Sequence, residues 1–306
     1  MFGQAHDESA VLQKQSEALR SVVERSPRLP LTKTEFQIKP AGTGWELGFA
    51  SAVAMSKDGL LYVLQRGEKA DPVLVVNNDG KIIRSWGKGM FTIPHSIRID
   101  PAGHIWTVDA ASSKVLKFSP TGEKLLEISV GGQPKTSSAF NGTTDIAFGP
   151  HGRLFIADGY GNNRILEYTA DGKLVKQWGT AGSGPGEFHL PHGIAVDEAA
   201  TIYVADRENG RVQRFTLDGK YLGEWTNLGK VFAVTASDGS LWIGTQQRNE
   251  PNGAPGWLMK IDKHNGKILG LVDSAGGQHT VNLAIDGGLL AGARPNTVLW
   301  FRKKAK

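Results

Sequence analysis

The stretch from Pro191 to Trp225 has the pattern of one small four-stranded antiparallel sheet. Two apolar runs, GIAVD and TIYVAD, precede a polar turn, and two more, RVQRF and YLGEW, follow it. Asn209-Gly210 and Asp218-Gly219 are dipeptides typical of tight reversals between antiparallel strands. One such sheet cannot bury both of its faces alone, so the chain is expected to contain further copies of the unit.

Five other segments align on this unit, which gives six in all. They share an apolar strand, a glycine turn, a second strand that often closes with Asp, a third strand, and a last strand that often ends in Trp. The segments cover residues 45–86, 93–128, 140–178, 191–225, 231–271 and 279–302. Because a period of roughly 40–50 residues is that of a propeller blade, the sequence predicts an all-β, six-bladed β-propeller.

The sixth segment contains only three strands, and an open sheet edge there would be a liability. The run TEFQIKP, residues 34–40, alternates like a strand and has no partner of its own. We therefore expect this N-terminal strand to pair with the last blade and close the ring. The predicted organisation is a helical or extended segment over 1–32 and a single propeller domain over 33–306. A helix through Val11 to Val23 would stop before Pro27 and Pro30.

Composition excludes several classes of protein. The chain has 39 glycines, 14 prolines and no cysteine, so neither a disulfide framework nor a thiolate metal site is available. The net charge of +5 is spread over turns and strand edges, which is typical of a solvated surface and argues against nucleic acid as a partner. No stretch approaches the roughly 18 apolar residues of a membrane span. The N-terminus lacks signal-peptide features, so the expected location is periplasmic or secreted if a signal has been removed, and otherwise cytoplasmic.

Three histidines occupy the same position, the start of the first strand, in alternate blades. They are His95, His192 and His279, in blades two, four and six; the other blades have Ser51, Thr144 and Phe232. The first strand lies nearest the propeller axis, so these imidazoles are expected to converge with near three-fold symmetry. A lone histidine in a turn is usually solvated, but three at one repeat position predict a catalytic metal site that keeps a position open for substrate.

The ends of the second strands reach the same face, because neighbouring strands are antiparallel. These positions offer Arg66, Tyr160, Arg207 and Arg294. Arginine can hold a carboxylate with two hydrogen bonds, and a tyrosine beside a metal can act as a general base. Salt bridges within or between blades are the alternative use of these side chains. Asp109, Asp158 and Asp206 are expected to form such ties, with Lys114, Arg164 and Arg211 respectively.

The motifs DGYGNNRI and ADRENGR, with GEFHLPHGIAVD between them, resemble the peptidyl-α-hydroxyglycine α-amidating lyases, whose blades are NHL repeats. The resemblance implies a six-bladed propeller with zinc, or another divalent transition metal, on His95, His192 and His279. It places the family's active-site tyrosine at Tyr160 and its two arginines at Arg66 and Arg207. The family's structural calcium stays doubtful, because Thr280 stands where the family has an aspartate and Gly277-Gln278 precede the last histidine.

The implied function is a metal-dependent carbon–nitrogen lyase that cleaves an α-hydroxy-amide to an amide and glyoxylate, or a related lyase or hydrolase. Its substrate would be an anionic small molecule or a peptide derivative. The alternative is a non-catalytic NHL module that binds RNA or protein on a basic face. Lactone-hydrolysing propellers are a third option, but they usually hold calcium through carboxylates, whereas three histidines favour a transition metal.

Overall fold

The computed structural model describes residues 2–134, 136–237, 239–252, 254–274, 276, 279–293 and 297–303. After an N-terminal helix, Phe2–Arg25, the chain forms six four-stranded antiparallel sheets. The innermost strands of the six sheets contact one another in cyclic order, blade one against blade two and so on to blade six against blade one. The predicted six-bladed β-propeller is therefore confirmed.

Each blade is a meander whose strands follow one another from the axis outward. We call the first strands the inner strands and the fourth strands the outer strands. In blades one to six the inner strands are Phe49–Met55, Pro94–Ile99, Asp145–Phe148, Pro191–Val196, Lys230–Ser237 and Thr280–Leu283. The second strands are Leu61–Arg66, Ile105–Asp109, Leu154–Asp158, Thr201–Asp206, Ser240–Gln246 and Leu289–Ala293.

The third strands are Val73–Val76, Lys114–Phe118, Arg164–Tyr168, Arg211–Thr216, Gly256–Asp262 and Thr297–Lys303. The outer strands of blades one to five are Ile82–Trp86, Lys124–Ser129, Leu174–Trp178, Tyr221–Trp225 and Ile268–Asp273. A one-turn 3₁₀ helix, Pro150–Gly152, lies in blade three, and a short parallel pair, Thr180–Ala181 with Glu187–Phe188, precedes blade four. The apolar residues between successive blades form the buried clusters of the core.

The outer strand of blade six comes from the N-terminus. Leu31–Phe36 pairs antiparallel with Thr297–Lys303, so that the first and last parts of the propeller share one sheet. The strand lies earlier than the predicted 34–40 and begins before the predicted boundary at residue 33. The reason is that the chain leaves the edge after Phe36, which packs on Trp300, and Lys39 N–H donates instead to the Gly80 carbonyl of blade one at 2.7 Å.

The N-terminal helix packs on the propeller instead of extending away from it. Leu19 and Val23 are buried in a cluster with residues of blades four and five. The Ser26 hydroxyl donates to the Val22 carbonyl at the helix end, and the following prolines stop the helix close to the predicted point. Among the described residues, no helix combines the length and the apolarity that crossing a bilayer requires.

Tryptophans at the ends of the outer strands pack between blades. Trp86 and Trp178 lie against aromatic rings of the next blade, Phe118 and Phe215, at 5.9 and 6.2 Å between ring centroids. Each ring also covers a turn glycine of that next blade, and Trp225 does the same over Gly266. The outer rim is thus held by one contact that recurs from blade to blade.

Candidate active site

Two of the three histidines project into the central channel from β-bulges. In blade two, Pro94 pairs with Asp109 and Ser96 with Val108, so His95 is the extra residue between them. His192 has the same place in blade four, between Pro191 and Gly193. A bulge re-aims the side chain of its unpaired residue, which explains why these imidazoles face the axis. His279 stands directly before the inner strand of blade six.

The three imidazole rings form a nearly equilateral triangle. Their centroids lie 4.9 Å apart for His95 and His192, 4.7 Å for His95 and His279, and 5.0 Å for His192 and His279. His95 and His192 are buried, and His279 is partly buried. The structure therefore brings together the three residues that the sequence singled out, with the predicted near three-fold symmetry.

Each histidine is oriented by the neighbouring blade. The Nδ1 atoms of His95, His192 and His279 lie 2.6, 2.6 and 3.1 Å from the backbone carbonyl oxygens of Thr144, Phe232 and Ser51. A carbonyl oxygen only accepts hydrogen bonds, so each Nδ1 must carry the proton. In the neutral ring the Nε2 atom then presents its lone pair. Sequence analysis named these three residues only as occupants of the alternate blades and missed their backbone role.

The chain keeps two of these imidazoles neutral. Burial holds the pKa of His95 and of His192 well below the usual 6.5. The charges of His279 and His192 add to the effect at His95, and those of Arg207 and His279 add to it at His192. Neutral imidazole is the form that binds metals, so these two histidines do not need to lose protons before the site can bind a metal ion.

The donor set fits a transition metal. The ligand atoms of the three histidines all lie within 4.8 Å of one another. Two nitrogens bound to one zinc at about 2.0–2.1 Å are at most about 4.2 Å apart, so the shift needed is well under the reach of a side-chain rotation. Nδ1–H donation to a carbonyl is the usual outer contact of a metal-binding histidine.

Tyr160 lies directly beside the triangle. Its hydroxyl is 3.2 Å from His95 Nε2 and 3.0 Å from His192 Nε2. The hydroxyl has one proton and can donate it to only one of these two nitrogens at a time. Burial raises the pKa of Tyr160, while the charges of Arg207 and Arg66 pull the pKa in the opposite direction. The phenol is therefore protonated here, and added positive charge would ease its ionisation.

The local backbone at Tyr160 leaves room for nothing larger than glycine on its C-terminal side. A Cβ atom at Gly161 would lie 2.0 Å from the Gln133 side chain and 2.2 Å from the Asn141 carbonyl oxygen. The Tyr160 N–H donates to the Gly142 carbonyl at 3.0 Å, which fixes the tyrosine to the loop that enters blade three.

The two arginines flank the site from opposite sides, and each lies between aromatic rings. The Arg66 guanidinium is 5.2 Å from the ring centroid of Phe49 and 5.4 Å from that of Phe140. That of Arg207 is 5.8 Å from Tyr160 and 5.2 Å from Phe232.

Both arginines are anchored through Nε. Arg66 Nε donates to the Pro94 carbonyl at 2.6 Å, and Arg207 Nε pairs with Glu208 at 2.7 Å. The aromatic rings and these anchors already restrict the movement of both side chains. Binding an anion would therefore cost less conformational entropy.

A cavity of about 580 Å³ opens beside the triangle, and His279 and Tyr160 are among its lining residues. Its walls are largely apolar, with Phe49, Phe140, Leu190 and Phe232 among them, and its polar lining residues include Tyr160, His279 and the two arginines. This size and this distribution are typical of a small-molecule site. Leu190 has a positive φ of 63°, a strained conformation that puts it in the wall two residues before His192.

The remaining sequence predictions have mixed outcomes. Arg294 lies outside the described residues, as do Gly277 and Gln278. Asp158 pairs with Arg164 and Asp206 with Arg211, both at 2.8 Å, as expected. The third expected pair is wrong: Lys114 pairs with Glu127, and Asp109 accepts backbone N–H groups of the preceding and following turns instead.

Comparison with known proteins places the chain in a structural class. A family model described as a six-bladed beta-propeller matches residues 136–269. Two solved lyases share the fold at 18% identity: a streptogramin B lyase, with a TM-score of 0.59, and a virginiamycin B lyase of Staphylococcus aureus, with 0.60. The alignments cover 89% of this chain and 97% of the first protein, and 90% of both this chain and the second. The chain is a six-bladed β-propeller.

Within this class the chain is similar to amidating enzymes. The rat peptidylglycine alpha-amidating monooxygenase is 39% identical over 178 residues, which are 54% of this chain and 18% of that protein. The Caenorhabditis elegans protein named "Probable peptidyl-alpha-hydroxyglycine alpha-amidating lyase pgal-1" is 28% identical over 296 residues, 84% of this chain and 83% of its own length. Human NHL repeat-containing protein 3 is 32% identical over 185 residues, covering 56% of this chain and 53% of that protein. The chain thus spans about a fifth of the rat relative.

Proposed function

We propose that this protein is a metal-dependent lyase that cleaves an N-acyl-α-hydroxyglycine to an amide and glyoxylate. The observation that carries the proposal is the meeting of four groups at one point: three imidazoles with Nε2 toward the axis and a partly buried phenol in hydrogen-bonding contact with two of them. The similarity to amidating lyases over most of the chain supports the reaction class.

The three histidines would hold the metal, with zinc the first choice for an all-nitrogen site. Such an ion would polarise the oxygen atoms of a bound substrate and lower the pKa of the neighbouring phenol. The protein's own contribution to this ionisation is already in place, since Arg66 and Arg207 pull the pKa of Tyr160 downward against burial. Of the groups at the triangle, His279 and Tyr160 line the cavity.

In the proposed reaction, Tyr160 would act as the phenolate and take the proton of the substrate's hydroxyl group. The carbon–oxygen bond becomes a carbonyl, the bond from carbon to the amide nitrogen breaks, and its electron pair stays on nitrogen. A proton delivered to that nitrogen completes the amide, and the two-carbon fragment leaves as glyoxylate. The net reaction moves one proton from oxygen to nitrogen and needs no oxidant. Tyr160 has the position to serve in both proton transfers.

The arginines give the site its preference for an anion. Arg66 and Arg207 both line the cavity, where they would hold the substrate carboxylate that ends up on glyoxylate. The apolar walls above them would accept the acyl part. The proposed substrate is therefore a carboxylate whose acyl group carries an apolar or aromatic side chain, and an N-benzoyl compound is a suitable probe. The RNA- or protein-binding alternative has no comparable support in the described site.

The test is release of glyoxylate from N-benzoyl-α-hydroxyglycine, with metal content measured on the same samples. Wild type should hold about one transition metal ion per chain and release glyoxylate. His192→Ala should lose both, because one of three ligands is gone. His189→Ala is the matched control, since His189 is exposed and only three residues away. Metal-loaded wild type without glyoxylate release would refute the reaction, and a wild type that takes up no metal would refute the metal site.

A further inference from the structure

A second buried polar cluster lies in the central channel, on the inner strands just past the histidines. Its centre is Arg98, three residues after His95, and its side chain is 11% exposed. Arg98 forms a two-point ion pair with Asp145, with Nη2 at 2.6 Å and Nε at 3.1 Å from the two carboxylate oxygens. Neither residue was singled out by the sequence analysis.

The cluster reaches every blade. The Arg98 guanidinium of blade two pairs with Asp145 of blade three. It also donates to the Val234 carbonyl of blade five at 3.5 Å and, in blade six, to the Val281 carbonyl at 3.3 Å and the Asn282 side chain. Asp145 also accepts the backbone N–H of Ile194 in blade four at 3.2 Å.

The link to blade one runs through Asn282, whose amide donates to the Val53 carbonyl at 2.7 Å. Asp145 also accepts the hydroxyl of Ser96 at 2.6 Å. All six inner strands are therefore tied to one ion pair.

The cluster also touches the chain next to each part of the site above. Ser96 follows His95, Ile194 is two residues after His192, and Asn282 is three residues after His279. Asp145 follows Thr144, whose carbonyl orients His95. A shift of any of these strands would move an imidazole, and a metal site tolerates displacements of only about half an ångström.

The oxygen atoms around Arg98 are of the kind that calcium prefers: a carboxylate, two backbone carbonyls and a side-chain amide oxygen. Here a fixed guanidinium already lies among them, with a donor directed at each. The Thr280 hydroxyl, at the position that left calcium in doubt, donates to the Ser51 carbonyl at 3.1 Å. The channel therefore does not fit a calcium ion.

We propose that Arg98, held by Asp145, is the resident cation of the central channel and a positioning residue for the histidine triangle, in a role that a bound calcium ion could otherwise fill. Its side chain neutralises the inward-facing oxygens and sets the spacing of the inner strands. A test by metal affinity rests on the proposed function, because it needs the proposed metal site. A test by the NMR signals of the histidine Nδ1–H protons does not depend on that site.

The test compares Arg98→Met with Arg153→Met, each first checked by circular dichroism. Arg153 also pairs with a buried carboxylate, Glu167, and bridges to blade four, but it lies away from the inner strands. Removing Arg98 should weaken Co²⁺ binding by about 10–100-fold and change the visible spectrum of the bound ion, as loss of an outer contact does. Arg153→Met should bind Co²⁺ like wild type. Affinity and spectrum within twofold of wild type in Arg98→Met would overturn the proposal.

Three further measurements cover the cases in which this comparison cannot be made or does not decide. If Arg98→Met does not fold, Asn282→Ala removes one arm of the cluster, and unchanged Co²⁺ affinity in that variant would overturn the proposal. If wild type binds no Co²⁺, the proposed function fails, and NMR of the imidazole Nδ1–H protons tests the positioning role of Arg98. These signals should be sharp in wild type and lost in Arg98→Met, and their persistence in the variant would contradict the role.

Added Ca²⁺ should leave the melting temperature of metal-free wild type unchanged. A saturable one-to-one increase in melting temperature would refute the proposal that Arg98 is the resident cation.

Discussion

The inner and outer strands of the propeller differ in how closely the blades repeat one another. On the outer strands, Trp86, Trp178 and Trp225 make the same contact with the next blade each time. On the inner strands one position holds histidine in blades two, four and six, and other residues in between. The odd blades there supply the carbonyls that orient the histidines of the even blades. The contacts that hold the blades together lie where the blades repeat one another, and the proposed chemistry lies where the residue type alternates from blade to blade.

If this division holds, removing a tyrosine hydroxyl should impair turnover inside the channel and leave turnover unchanged outside it. Tyr160→Phe removes only a hydroxyl, and we expect glyoxylate release to fall by about 10²–10⁴-fold, the usual worth of a proton-transfer group. Tyr168→Phe, on the third strand of the same blade, should leave turnover unchanged. Steady-state rates on metal-loaded protein decide this. A Tyr160→Phe enzyme within tenfold of wild type would remove Tyr160 from the reaction.

A smaller effect is expected at the arginines, which bind without reacting. Arg207→Met should lower kcat/KM for N-benzoyl-α-hydroxyglycine by about 10–100-fold, the value of hydrogen bonds to a charged group. For the methyl ester of N-benzoyl-α-hydroxyglycine, which lacks the negative charge, the same substitution should lower kcat/KM much less. Arg214→Met is the control, because Arg214 lies over Trp225 on the rim. Equal losses for acid and ester would mean that Arg207 supports the fold of the site and not the carboxylate.

The neutral histidines predict how the metal-free protein responds to acid. The pKa of His95 and of His192 lies well below 6.5 in the folded state, so below pH 6.5 the unfolded chain takes up protons that the folded chain does not. Stability is therefore full above pH 6.5 and falls as the pH drops toward the folded values. The slope is about 1.4 kcal/mol per pH unit for each histidine.

Urea unfolding of metal-free protein at several pH values measures this slope. His192→Leu should flatten it by about half, because the contribution of His192 is then removed. A slope that His192→Leu leaves unaltered would show that His192 is charged, or already solvated, in the folded protein.

Much of this arrangement could be predicted from sequence because repeats convert chain positions into places around a ring. Knowing that His95, His192 and His279 share a repeat position was enough to predict that they converge. The displaced closing strand could not be predicted: the alternation of TEFQIKP fits a strand, but the position where it leaves the edge depends on the Lys39 contact with blade one.

Other features were missed because they depend on the backbone or on distant pairs. The carbonyls of Ser51, Thr144 and Phe232 orient the histidines whatever their side chains, so residue types give no signal for them. Arg98 and Asp145, in contrast, did leave a signal in the sequence. A charged residue within an innermost strand, where burial is nearly complete, requires a partner. That signal indicates an ion pair but not which of the six blades supplies the other charge.

The outer rim offers the smallest and most local test of the comparison. A Cβ atom at Gly219 would lie 2.9 Å from the ring of Trp178, and its φ is +76°. Gly89 has nearly the same φ, +77°, with nothing within 4 Å of such an atom. Gly89→Ala should therefore cost only backbone strain, about 1 kcal/mol of unfolding free energy.

Gly219→Ala should cost about 1–3 kcal/mol more, because the ring of Trp178 must move. Chemical denaturation measures both variants, and glyoxylate release per folded molecule should stay at the wild-type level in each. Equal costs for the two substitutions would show that the tryptophan contact does not hold the blades together. A change in turnover would show that the rim and the channel are coupled, because a shift between blades three and four would then reach Tyr160 and His192.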